Sequence, residues 1–289
     1  IILSLVNISC TNDRNLRKSV IGTITSVMKA SQATVSLKLQ KRTEKKEQSI
    51  LTLSEMFKIF SNVYVMVGQH SRSLVVDAYI GFLRYSGAGF IESYHSDVVD
   101  GIVNFTRLTQ FNDNLEDNAR SRMATNLVFR EGVSKILGEV GQLKVLHYLI
   151  RTYLDKWNTD PIEEQNLDDH TLICILNEVA SLVSDLGEAA SVMENLVVNS
   201  FMNLMTHPAE GVIIALSWAM LSFFKNFPIQ IPIFISSSLS ILQKEIPSAL
   251  NNDLNHDLFH NYGLILATLI RSIAFKKLYI SYSTMANIF

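Results

Sequence analysis

His256 and His260 stand four residues apart in a segment of helical periodicity. That spacing turns both imidazoles to one side, where Asp253 or Asp257 could complete a metal site. A zinc site wants further ligands, and the segment has neither a Cys nor the Glu of an HExxH motif, so a solvated helix face explains the pair more simply. Gly87-Ala88-Gly89 lacks the third glycine of a dinucleotide fingerprint and follows a helical pattern, not a strand. Glu163-Glu164 and Asp168-Asp169 are adjacent carboxylates, but they fall in a loop and at a helix start, where acids offset the helix dipole. No P-loop, nucleophile elbow or kinase signature is present. Cys10 and Cys174 are too few and too far apart for a zinc site or a disulfide framework, which points to a reducing, cytosolic setting. The residues thus assign no catalytic group, no cofactor and no metal.

With chemistry this sparse, the elements carry the information. The chain has 289 residues, 48% apolar and 18% charged, enough to bury a large core. From Leu51 to Phe275 its apolar residues recur at helical spacing, and no alternating strand pattern appears. The first amphipathic helix spans Asn15 to Ala30, with Leu16, Val20, Ile24, Val27 and Met28 facing inward. The charged run Lys38 to Gln48 follows it as a helix end or linker. Thr52 and Glu55 then form a capping box, with Leu51 and Met56 as its hydrophobic staple. Behind it Met56, Phe57, Phe60, Val63, Tyr64 and Val67 form a buried stripe. The next segment, Ser73 to Tyr85, stops at Ser86-Gly87 and turns Leu74, Val75, Ala78, Tyr79 and Phe82 inward. Further helices are expected at Ser96–Leu108, Leu115–Val140, Leu143–Trp157, Asp168–Leu186, Ala190–Met205, Glu210–Phe224, Ile233–Ile246 and Leu254–Phe275.

Taken in pairs, these hairpins repeat about every 40 to 50 residues, the HEAT and armadillo period. The expected fold is all-α, a HEAT/armadillo-like α-solenoid of stacked helical hairpins running through residues 1–289, with a possible internal boundary at 158–167. A compact helical domain is the structural alternative. Because the chain opens on Ile1 and its last segment reads as the start of another helix, it is expected to be part of a longer polypeptide. The longest apolar run, Val212 to Phe224, falls short of the roughly 20 residues a spanning helix needs.

Charge is unevenly spread. Residues 158–224 hold ten acids and no Lys or Arg, whereas residues 1–50 hold nine bases and three acids. Glu163, Glu164, Asp168, Asp169, Glu178, Asp185, Glu188 and Glu194 are therefore the candidate partner surface, suited to a basic segment of another protein. The alternative is a solvated face spread over several helices. The basic run Lys38 to Lys46 has no interleaved aromatics, so nucleic-acid binding is not expected.

Two stretches resemble a known family. His170 to Met193, through Leu176, Glu178, Leu182, Leu186 and Gly187, is similar to a segment of the large HEAT-repeat accessory proteins of the clathrin adaptor. These are the fungal large adaptor-accessory proteins and the animal HEAT-repeat-containing protein five family. Met205 to Ser222 carries the second match, with His207-Pro208 ahead of a helix bearing Trp218. Weaker similarity covers Val76 to Trp157, so most of residues 50–280 takes part, while Ile213, Ile214 and Leu216 depart from the family pattern. The resemblance implies a non-enzymatic scaffold without cofactor or small-molecule substrate. Its partners would be the clathrin adaptor complex and its accessory subunits. It would be cytoplasmic and peripheral at trans-Golgi and endosomal membranes, acting in clathrin-dependent sorting and retrograde transport. A different protein-binding solenoid, such as an importin-like cargo receptor, is the alternative.

Overall fold

The structure, a computed structural model, describes residues 2–41, 52–110, 115–155, 168–249 and 256–276. Helices fill these stretches, and among the described residues there is no strand. The chain divides into two compact units, Ile1–Val145 and Leu146–Phe289. The division falls inside a helix, upstream of 158–167, and that candidate boundary lies outside the described residues.

In the first unit the helices come as antiparallel pairs: α1 (Ile2–Ser9) with α2 (Arg14–Lys41), α3 (Leu53–Met66) with α4 (Gln69–Ser86), and, after the short α5 (Ala88–Ser93), α6 (His95–Leu108) with α7 (Leu115–Phe129). The Thr52–Glu55 capping box is present and opens α3, and Gly87, at φ +81°, ends α4. The staple to Leu51 and the end of the charged run lie outside the described residues. Aromatic pairs set the α3/α4 register, since Phe57 meets Phe82 at 6.1 Å and Phe60 stacks on Tyr79 at 4.7 Å, in opposite chain order. Buried hydroxyls do the same for α6/α7, where Thr106 donates to Thr125 at 3.0 Å and Thr109 meets Ser121 at 2.5 Å. Each such pair satisfies two polar groups that would otherwise oppose burial.

Between pairs, alternate helices run parallel. Arg17 on α2 reaches Asp77 on α4, and Lys29 on α2 reaches the Tyr85 carbonyl, so both helices advance together. Gln69 reaches Asp117, and further along Arg84 reaches Glu131, which aligns α4 with α7. On the other layer Gly101 of α6 lies against the Phe57 ring, while Tyr64 meets Phe105 at 5.1 Å. A Cβ at Gly101 would come within 2.0 Å of that ring, so the missing side chain is what lets α3 and α6 approach.

Several expectations change in three dimensions. Val20, Ile24 and Met28 are buried as expected, but Leu16 and Val27 are 45% and 40% exposed, and Ile21 takes their place. At 3.6 residues per turn Leu16 and Val27 project from one edge of that stripe, beyond the reach of α1 and α4. Leu74 and Val67 are half-buried. The single helix expected over Leu115–Val140 is two: α7 ends in a π-helical turn, Arg130–Ser134, and α8 (Glu139–Leu149) starts after a turn at 135–138. The aligned apolar residues on both sides of that turn hid the break.

α8 continues into a second π-helical turn, Ile150–Leu154. The second unit then comprises α9 (Asp169–Leu186), a 3₁₀ stretch at Gly187–Met193, α10 (Glu194–Leu204), α11 (Glu210–Asn226), α12 (Ile231–Ala249) and α13 (His256–Lys276). Here too alternate helices are parallel. Gly211 of α11 abuts Ile173 of α9, and Asn226 at the far end of α11 donates to the Val183 carbonyl. His260, near the start of α13, faces Glu210 at the start of α11. α9, α11 and α13 thus form one layer whose helices share an N-terminal end.

Candidate functional site

The acids singled out in the sequence do not share one place. Asp168 caps α9, accepting from the Thr171 amide and hydroxyl at 2.8 Å each. Asp169 is exposed beside it, and Glu210 is exposed at the same end of the layer, 3.4 Å from His260. Asp185 and Glu188 are exposed around the opposite end of α9, roughly 25 Å away at 1.5 Å per residue. Glu194 is half-buried and accepts from Gln230 at 2.6 Å. Glu178 is only 2% exposed, on the core side of α9, and that removes it from any partner surface. Glu163 and Glu164 lie outside the described residues. Capping and pairing therefore occupy much of the acidic set.

His207 belongs to the architecture of this layer. It is buried, its Nδ1 accepts from the Ala209 amide at 3.1 Å, and its Nε2 therefore carries the proton, 3.7 Å from Asp169. Burial lowers its pKa from the usual imidazole value, and the Asp169 carboxylate opposes that shift. Neither Cys10 nor Cys174 forms a disulfide, and burial raises the pKa of the Cys10 thiol. Among the described residues no three His, Cys, Asp or Glu side chains converge to hold a metal ion.

Among the described residues of the second unit lie two clefts. The larger, about 420 Å³, lies between the π-helical turn and α10 and is lined by His147, Arg151, Asp155 and Val192. Its charges are already engaged, since Arg151 pairs with Asp155 at 3.1 Å and Asp155 also accepts from Ser200. The other, about 240 Å³, runs along the outer side of α9, α11 and α13 and is lined by Ser184, Trp218, Leu221, Lys225, Arg271 and Ser272, among others.

This second groove has the features of a binding surface. Trp218 is 58% exposed, and Ile214, one turn earlier on α11, is 45% exposed. With Leu221 they make a stripe at i, i+4 and i+7 that ends at the exposed Lys225. Lys225 and Arg271 have no ion pair or hydrogen bond among the described residues. Among the described residues no carboxylate, imidazole or thiol lines the groove. An indole, two cations and serine hydroxyls can hold a ligand, and Trp and Arg are among the side chains enriched at the centres of protein contacts.

Sequence reasoning did not single out this groove. One signal was available: α11 is apolar on every side, because Val212, Ile213, Leu216, Ala219, Met220, Phe223 and Phe224 already fill its buried face. A helix apolar all round is normally covered all round, so the outer stripe is surplus to the core. Arg271 is brought to it from 53 residues beyond Trp218, a juxtaposition no local pattern announces. Compared with protein-family models, with curated proteins and with solved structures, the chain shows no significant match.

Proposed function

We propose that this chain is a stretch of a HEAT-like α-solenoid and acts as a non-enzymatic scaffold. In this reading it recruits the clathrin adaptor complex and its accessory subunits to trans-Golgi and endosomal membranes, in the cytoplasm and peripherally, for clathrin-dependent sorting and retrograde transport. The observation that carries the scaffold reading is the repeated geometry within each unit, in which hairpins follow one another and alternate helices run parallel, as marked by Arg17–Asp77, Gln69–Asp117 and Asn226–Val183. Such stacks present long surfaces instead of enclosed pockets. The adaptor assignment is supported by the resemblance of His170–Met193 and Met205–Ser222, whose residues form the parallel α9/α11 core.

Affinity purification of the full-length protein from cells, with quantitation of adaptor subunits against an untagged control, tests this. Enrichment of the adaptor complex, with loss of adaptor from Golgi membranes on depletion of the protein, is the expected result. Absence of adaptor subunits under mild extraction overturns the trafficking assignment.

A further inference from the structure

We infer that the groove along α9, α11 and α13 is a docking site for an acidic amphipathic peptide segment of a partner protein, with Trp218 as its central anchor. The inference rests on the scaffold reading and names one surface that the scaffold uses.

Three observations converge. First, Ile214, Trp218 and Leu221 form an outward apolar stripe on a helix whose opposite face is fully packed, so the core does not require them. Second, Lys225 and Arg271 stand at one end of that stripe, on neighbouring parallel helices, unpaired among the described residues. They belong to a unit whose other exposed charges are mostly acidic, and Lys225 is the first base after 68 residues without one. Third, the opposite end of the layer carries Asp169 and Glu210. The layer therefore runs from acidic to basic, and the stripe from Ile214 to Lys225 covers roughly 16 Å of it at 1.5 Å per residue.

Charge complementarity selects the occupant. Carboxylates of the partner meet Lys225 and Arg271, while its bulky apolar side chains cover the indole and the aliphatic stripe. Ser184 lies at the same end, exposed, and can donate to those carboxylates, whereas the buried Ser272 already donates to the Thr268 carbonyl. Asp185, next to Ser184 in the chain, adds one acid there and leaves the two cations in excess. A segment of about 11 helical residues, or fewer if extended, spans the stripe. Partners rich in Lys or Arg are disfavoured at the Lys225 end by like charge.

A displayed library of random 16-residue peptides, panned on the full chain, tests the proposal. Enriched peptides are expected to combine Leu, Phe or Trp with Asp or Glu and to bind more weakly as salt rises. Their affinity is expected to drop at least about tenfold with Trp218→Ala, and as much with Lys225→Glu plus Arg271→Glu. Ile229→Ala, at an exposed site outside the groove, leaves it unchanged. Trp218→Gln and unfolding curves of all variants separate loss of binding from loss of fold. The proposal is overturned by absence of enrichment, by enrichment of basic peptides, or by binding indifferent to Trp218→Ala. It is also overturned if Trp218→Ala instead abolishes self-association or vesicle binding by the chain. Peptide binding without adaptor recovery from cells keeps the groove and removes the trafficking assignment. Adaptor recovery unaffected by the groove variants, with no enriched peptides, does the reverse.

Discussion

Asn261, 1% exposed on α13, donates through Nδ2 to the carbonyl of His207 at 3.2 Å, across 54 residues of chain, and the same amide reaches the Pro208 carbonyl at 3.2 Å. One side chain thus ties α13 to the turn that launches α11. Asn261→Ala leaves both carbonyls without this donor, and the expected loss is about 1–3 kcal/mol. A lower urea midpoint with an unchanged m-value is the measurement, and an unchanged midpoint would falsify the clamp.

The buried His207 gives stability a pH dependence. Its folded pKa lies below the unfolded value near 6.5, so the neutral imidazole is the folded form and the unfolded chain binds more protons as pH falls. Its contribution is complete above the unfolded pKa and declines as pH drops from there through the lowered folded value. Thermal unfolding between pH 7.5 and 5 is expected to show this decline, and His207→Gln to flatten it. A slope that persists in the variant assigns the effect to other groups.

Gly101→Ala sets two effects against each other. Helix propensity favours Ala by roughly 1 kcal/mol, but the new Cβ would lie 2.0 Å from a Phe57 ring that is already packed against Tyr79 and Phe82. Overpacking wins, with a net destabilisation of about 1–3 kcal/mol. Adding Phe57→Leu is expected to cost less in the Gly101→Ala background than alone, a coupling readable in a double-mutant cycle.

Two neighbouring acids on α7 should differ sharply. Asp117 is 11% exposed, accepts from Gln69 at 2.9 Å and pairs with Arg72 at 3.3 Å, itself 14% exposed and over the Tyr64 ring. Glu116, 73% exposed, pairs with Arg120 in the same helix. Asp117→Asn is expected to cost about 2–3 kcal/mol, because it strands a guanidinium in a poorly solvated place. Glu116→Gln is expected to change stability by less than about 0.5 kcal/mol. Equal midpoints for the two variants would contradict this account.

Much of the secondary structure was legible in the sequence because its signals are local. The Thr52–Glu55 capping box, the stop at Gly87, the Asp168 cap and the starts and stops of α9 and α11 all rest on residues within a turn of each other. The break after α7 was missed, since apolar residues recur at helical spacing through it, as Val133, Leu137 and Val140, and no proline marks it. The candidate partner surface was legible only as a count of charges, and a count carries no position.

What the sequence determined by itself is a chain of amphipathic helices in antiparallel pairs, with an acid-rich second half. Tertiary structure alone decided which apolar and charged residues face out. Glu178 points to the core and Trp218 away from it, although both sit on helices rich in apolar residues. Periodicity orients a side chain about its own helix axis, and α11, apolar all round, has no preferred direction on that basis. Its outward side is fixed by α9 and α13, packed from opposite directions in the chain through contacts such as Asn226–Val183 and Asn261–His207. Those contacts, distant in sequence, are what bring Trp218, Lys225 and Arg271 into one groove.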